Sequence, residues 1–211
     1  MKNKTMTVIT SIVILIPLFT GLFLWNRLPD EMAVHFGADG APDKWAHKGW
    51  AIFGLPLFIL AAHLFCVFMS THDPKKQNIG EKTYNVVMWI CPVCSLLGGL
   101  IVYTYSFGMP FPVFSAVQTA LGVAVMIIGN FLPKTHWNYT VGIKLPWTMS
   151  DNDNWNSTHR FAGKVWIIGG LVLAATAFVN HAAVSLVVIA LLVMLPLGYS
   201  FAYHQKHNAN Q

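Results

Sequence analysis

Long apolar runs separated by short polar intervals set the pattern of this chain. Runs over residues 6–25, 50–70, 84–106, 112–132, 161–179 and 182–203 each approach the about 20 residues that an α-helix needs to cross a bilayer. In lipid every backbone N–H and C=O must be bonded internally, which leaves helices or a closed barrel. The runs are continuous rather than alternating, and so they predict helices. The pattern predicts an all-α polytopic membrane protein with six transmembrane helices, organised as a single membrane domain.

The first run follows Lys2 and Lys4 and is too long for the apolar part of a signal peptide. It ends in Leu24-Trp25-Asn26-Arg27 rather than at a small-residue cleavage site, so it reads as a retained helix, kinked at Pro17. Trp25 falls where aromatic belts meet the headgroups. His63, Gln118 and Asn130 lie inside runs and are expected to hydrogen-bond between helices; lining a solute path is the competing role. Cys91-Pro92-Val93-Cys94 has the spacing of a redox motif, but inside a span its thiols stay protonated. Pro92 and Gly98-Gly99 are read instead as a bend and a point of close helix packing. Asn180-His181 predicts a tight turn, and 204–211 a polar tail.

Two polar intervals stand out. The first, residues 26–49, is broken by Pro29, Gly37, Gly40 and Pro42. Met32 to Phe36 predicts a short strand, and Ala38-Asp39-Gly40 a turn. His35, Asp39, Asp43 and His47 recur every four residues, a metal-ligand stripe if they lay on one helix. The glycines and prolines interrupt that helix, so turn and surface roles are expected, with no metal and no cofactor. The second interval, residues 133–160, is the longest polar stretch. Ser150 to Asp153 supplies N-cap residues before a helix entering the fifth span. On that helix Trp155, Thr158, His159, Ala162 and Trp166 share a face, with Arg160 and Lys164 as a neighbouring stripe. Val141 to Leu145 reads as extended backbone stopped by Pro146, folding back so that Trp147 meets Trp155.

Composition agrees with the pattern: 55% of the residues are hydrophobic and 10% charged, against roughly 25% charged in soluble domains. Three cysteines, all in apolar runs, exclude a disulfide framework. The net charge of +5 comes from residues at span ends, which argues against nucleic acid. With the N-terminus inside, Lys2, Lys4, Lys75, Lys76, Lys82, Lys134, Lys144, Arg160, Lys164 and Lys206 fall on one side, and Arg27, Lys44 and Lys48 on the other. That asymmetry places both termini and the 133–160 loop in the cytoplasm and the 26–49 loop outside.

Three chemistries remain open for the 133–160 loop. Lys144, His159 and Arg160 suit an anion such as a lipid phosphate or a peptide carboxylate. His159 as a general base, with Ser157, Thr158 and Asp153 nearby, would make a membrane-embedded hydrolase. Interfacial Trp and Arg that simply anchor a helix are the third.

Gly142-Ile143-Lys144-Leu145-Pro146-Trp147-Thr148, followed by Trp155, Thr158-His159-Arg160 and Gly163, resembles the signature of the SdpI family of bacterial membrane proteins. Leu28-Pro29, His35-Phe36, Gly40, Asp43 and Lys48 resemble the short domain often found at that family's N-terminus. Lys144 stands where the family usually has Arg, and Asn154 where an apolar residue precedes the Trp. The resemblance implies a non-enzymatic protein of the bacterial inner membrane. Its expected role is immunity against a secreted toxin peptide, together with sequestration of a transcriptional regulator at the membrane. Expected partners are the toxin peptide, a cytoplasmic regulator and membrane lipids. The implied binding residues are Asn138, Gly142, Lys144, Pro146, Trp147, Trp155, Thr158, His159, Arg160 and Gly163, with His35 on the outer side. A small-solute or lipid transporter is the alternative.

Overall fold

The computed structural model describes residues 2–109, 111–179 and 182–208. The turn expected at Asn180-His181 lies outside them, as does the end of the tail. Among the described residues five helices are long and apolar enough to cross a membrane: Lys4–Phe23, Lys48–His72, Glu81–Ser106, Val113–Lys134 and Ala182–His207. The helix over the expected fifth span starts earlier, at Asn152, and runs to Thr176. Its first half is polar, which lowers its mean hydropathy below that of the other five. The fold is that of a mostly helical membrane protein, and it divides into two compact units.

One unit comprises Met1–Phe68 and Val87–Val117. It contains α1 (Lys2–Phe23), strands β1 (Glu31–Phe36) and β2 (Pro42–His47), most of α2 (Lys48–His72) and most of α3 (Glu81–Ser106). The helices meet through small residues and side-chain-to-carbonyl bonds. A Cβ built at Gly98 would lie 2.6 Å from Leu55 Cδ2, and one at Gly99 2.5 Å from Pro17 Cβ. Ser95 Oγ donates to the Ile14 carbonyl (2.8 Å), and the Tyr103 hydroxyl to that of Pro17 (2.6 Å). His63 is buried and bonds Thr10 Oγ1 through Nε2 at 2.8 Å, a link between neighbouring helices.

The strand expected at 32–36 is β1, and it has an antiparallel partner, β2, that the sequence reading omits. β2 is mostly exposed and lacks an alternating pattern, so nothing in its residue order marks it as a strand. The hairpin is a small addition to a mostly helical fold. Gly40, at φ +79°, makes the turn, and its N–H donates to the Gly37 carbonyl. The hairpin rests on Leu28, Met32, Ile52 and Val102, while Phe36 and Trp45 both meet the Tyr105 ring. The four-residue stripe is dispersed by this geometry: His35 pairs with Asp43, Asp39 accepts from the Ala41 N–H, and His47 from the Gly49 N–H.

The other unit comprises Met69–Val86 and Gln118–Gln211. It contains most of α4 (Val113–Phe131), a 3₁₀ turn (Leu132–Lys134), α5 (Pro146–Ser150), α6 (Asn152–Thr176) and α7 (Ala182–Asn208). α7 runs through the first residues of the expected tail. α4 and α6 touch backbone to backbone at two levels. A Cβ at Gly122 would lie 2.6 Å from the Gly170 carbonyl oxygen, and one at Gly163 2.7 Å from that of Gly129. Only glycine allows that approach. Gln118 is the interhelical bonder expected: its amide donates to the Leu173 carbonyl and Thr176 Oγ1 and accepts from Ser185 Oγ, tying α4, α6 and α7 together. Asn130 is not one; it is exposed and accepts from Lys134 one turn on in its own segment.

Candidate functional site

The segment between α4 and α6 is held by its own polar side chains. Asn138 is fully buried; its Nδ2 donates to the carbonyls of His136 (2.8 Å) and Val141 (2.9 Å), and its Oδ1 accepts from the N–H groups of Thr140 (2.8 Å) and Val141 (2.7 Å). Every hydrogen-bonding position of the amide is filled. Asp73, just beyond α2, takes the same turn from the other side. One of its oxygens accepts from the Tyr139 N–H and the Thr140 hydroxyl (2.9 and 2.6 Å), the other from the Lys75 N–H at 2.7 Å. Burial alone would push this carboxyl up; the hydrogen bonds from Thr140, Lys75 and Tyr139 outweigh it and hold the group below its ordinary value. Trp137 closes the turn, its Nε1 donating to the Met149 carbonyl and its ring against Tyr139.

At the centre are Gly142, Trp155 and His159. Trp155 and His159, one turn apart on α6, are both fully buried and stack with ring centroids 4.1 Å apart. Trp155 Nε1 donates to the Thr135 carbonyl at 2.9 Å. His159 Nδ1 lies 2.7 Å from the Trp155 carbonyl, and Nε2 lies 2.9 Å from the Ile143 N–H. A carbonyl can only accept and an amide N–H can only donate, so the ring is neutral with its proton on Nδ1. Burial lowers its pKa to about 4, against a smaller opposing effect of the Trp155 carbonyl. Gly142 presses onto both rings. It sits at φ +134°, and a Cβ there would lie 2.6 Å from His159 Nε2 and 2.7 Å from Trp155 Cη2.

The remaining candidates are spread around this centre. Lys144 is exposed and donates to the carbonyls of Tyr139 and Thr140, both at 3.0 Å, so its charge serves the loop's own backbone. Pro146 begins α5, and Thr148 Oγ1 fastens it by accepting from the Leu145 N–H. Trp147 does not reach Trp155. Its ring packs on Phe201 and His204 of α7, and its Nε1 donates to Ser200 Oγ at 2.8 Å. Ser200 Oγ passes the chain on to Asn154 Oδ1, which also accepts from Thr158 Oγ1, both at 2.9 Å. The reason for the separation is that the α5–α6 corner turns Trp147 toward α7 while Trp155 faces inward. Arg160 is exposed, next to the buried His159 in sequence but outside the stacked pair. His35 lies in the other unit, on β1.

The expected cluster is thus two sets: a buried interlock of Asn138, Gly142, Trp155, Thr158, His159 and Gly163, and exposed cations at Lys144 and Arg160. His159 has no lone pair left for proton transfer and no open side for an anion. Asp73, Thr135 and Ser200 stand out in no local pattern, because their partners lie far along the chain; Thr148, inside the signature motif, bonds only Ile143 and Leu145 close by. Asn154 carried a signal as a polar residue at a position usually apolar; it anchors α7 through the Ser200 carbonyl at 3.1 Å.

Residues 134–200 match the SdpI/YfhL protein family. Residues 12–60, covering most of α1, the hairpin and the start of α2, match a domain of unknown function (DUF1648). Over 211 aligned residues the chain is 22% identical to the immunity protein SdpI of Bacillus subtilis (strain 168), covering 97% of this chain and 98% of that protein. No solved structure matches it. The family match over 134–200 includes the interlocked glycine, tryptophan and histidine, and the likeness to the B. subtilis immunity protein runs nearly end to end.

Proposed function

We propose that this chain is an immunity protein of the bacterial cytoplasmic membrane that shields its producer from a secreted membrane-active peptide and holds a transcriptional regulator at the membrane. The observation that carries the reading is its likeness to the B. subtilis immunity protein over nearly the whole of both chains. Under it α6 is the fifth of six crossings, the termini and the 133–160 segment face the cytoplasm, and the hairpin faces out, as the distribution of Lys and Arg favours. The hairpin then offers His35 and the exposed Trp45 to an incoming peptide. The role requires recognition rather than bond-making, which agrees with an imidazole whose two nitrogens are both committed.

The test is a strain lacking the gene, challenged with membrane-active peptides secreted by related bacteria. Sensitivity to one of them, rescued by the intact gene, is the expected result; equal survival of deletion and parent across the panel refutes it. Reporter fusions at Ala38 and Ser150 should report opposite sides of the membrane. The regulator is tested by transcript profiles after peptide exposure: a response identical with and without the gene removes that half of the proposal.

A further inference from the structure

α6 is covered on all sides but one. Toward α4 it presents Gly163 and Gly170. Toward α7 it presents Phe161, stacked on Tyr199, Trp166, whose Nε1 donates to the Leu192 carbonyl, and Gly169 against Leu192. Trp155, Thr158, His159 and Ala162 fill the interior. The uncovered stripe contains Arg160 and Lys164, four residues apart and both exposed, and continues without a break into Ile168 and Leu171, 64% and 59% exposed.

Most other cations of this unit are used by the protein itself. Lys144 donates to two carbonyls, Lys134 to Asn130, Lys76 to the Thr71 carbonyl, and Lys75 sits over the Trp137 ring. Arg160 and Lys164 have no hydrogen bond or ion pair among the described residues. Two cations stacked directly above an exposed aliphatic stripe match one kind of partner, an amphiphile with an anionic head and apolar tails. Arginine adds a planar fork suited to two oxygens of one phosphate.

We infer that this stripe of α6 is a binding site for an anionic phospholipid, its phosphate held between Arg160 and Lys164 and its acyl chains along Ile168 and Leu171. The site is distinct from the buried interlock, which has no free donor to offer. A lipid held here would brace the exposed side of α6, next to the residues that position the 133–160 segment.

The full chain, purified in detergent, is equilibrated with equal amounts of phosphatidylglycerol and phosphatidylcholine, and retained lipid is counted by native mass spectrometry. Phosphatidylglycerol should be retained in preference. The double variant Arg160→Gln, Lys164→Gln should lower its retention about thirtyfold, in line with two cations at a charged lipid surface. The pair Lys82→Gln, Lys206→Gln removes the same formal charge elsewhere and should change retention less than about twofold. Ile168→Ser with Leu171→Ser should also weaken retention, and inorganic phosphate should fail to displace the lipid. Equal losses in the two charge pairs, no preference between the lipids, or displacement by free phosphate or by a soluble acidic peptide would each overturn the assignment. All four positions of the charge pairs are exposed, so unchanged thermal unfolding by tryptophan fluorescence confirms that the comparison is between folded proteins.

Discussion

Replacing Gly142 by alanine puts a methyl group where the structure has no room for one. Three effects add at that position. The backbone is at φ +134°, a region side chains rarely adopt, and strain of this sort costs about 1–3 kcal/mol. The new Cβ would lie 2.6 Å from His159 Nε2 and 2.7 Å from Trp155 Cη2. Both rings are fully buried and stacked, so neither can swing aside, and overpacking of this kind costs about 1–3 kcal/mol. Relief by moving residues 142–143 away would break the bond from the Ile143 N–H to His159, worth about 1 kcal/mol. The expected loss is about 4 kcal/mol. Gly108→Ala is the comparison for a positive-φ glycine without a clash, because Gly108 is at φ +67° with open space where its Cβ would be, and its backbone cost is the about 1–2 kcal/mol of the left-handed region. Unfolding of purified protein in mixed micelles, followed by circular dichroism and tryptophan fluorescence, gives both values. Gly142→Ala should be the worse by about 2–3 kcal/mol, the overpacking and hydrogen-bond share. If the two variants agree within about 0.5 kcal/mol, the contact of Gly142 with the two rings is not what fixes this segment.

Three more outcomes follow from the same contacts. His159 has its folded pKa lowered from 6.5 to about 4, so the unfolded chain binds more protons between those values. Stability is complete above pH 6.5 and falls as pH drops toward 4, by about 3 kcal/mol in all; His159→Gln should flatten that slope in the same unfolding assay, and an unaltered slope refutes the assignment. Asp73→Asn turns an amide NH₂ toward the N–H and O–H donors of residues 75, 139 and 140, costing about 2 kcal/mol, and limited proteolysis should nick residues 138–145 sooner. Gly170→Val would drive a side chain against the Gly122 carbonyl oxygen and Met126, forcing α4 and α6 apart at a cost above about 3 kcal/mol. Gly198→Val, where nothing lies within 4 Å, is the control and should be far milder.

The helices were legible because lipid permits so few backbone arrangements that hydropathy and length nearly determine them. So was the Trp155–His159 face, since four-residue spacing on a helix brings side chains together whatever surrounds them. Gln118 was legible as an interhelical bonder, yet Asn130 has the same chemistry and points outward; helix rotation decides between them, and a nearly uniform apolar run does not encode it. The partner of Trp147 is 53 positions along the chain, at Ser200, and no local pattern announces it. β2 was hidden because its residues are mostly exposed and do not alternate, held by pairing with β1 rather than by a buried face. The N-cap expected at 150–153 is found at Asp151, whose carboxylate accepts from the Asp153 N–H, since capping is local chemistry.

The filled amide of Asn138 has a consequence for how the 133–160 segment meets whatever approaches it. A connection of this length would ordinarily sample many shapes, and a visitor would have to select one and forgo the disorder of the rest. Here turn, rings and carboxylate fix a single relief beforehand. Docking therefore leaves nearly all of its interaction strength available as affinity, and even a small, shallow contact on this surface can discriminate between near-identical visitors.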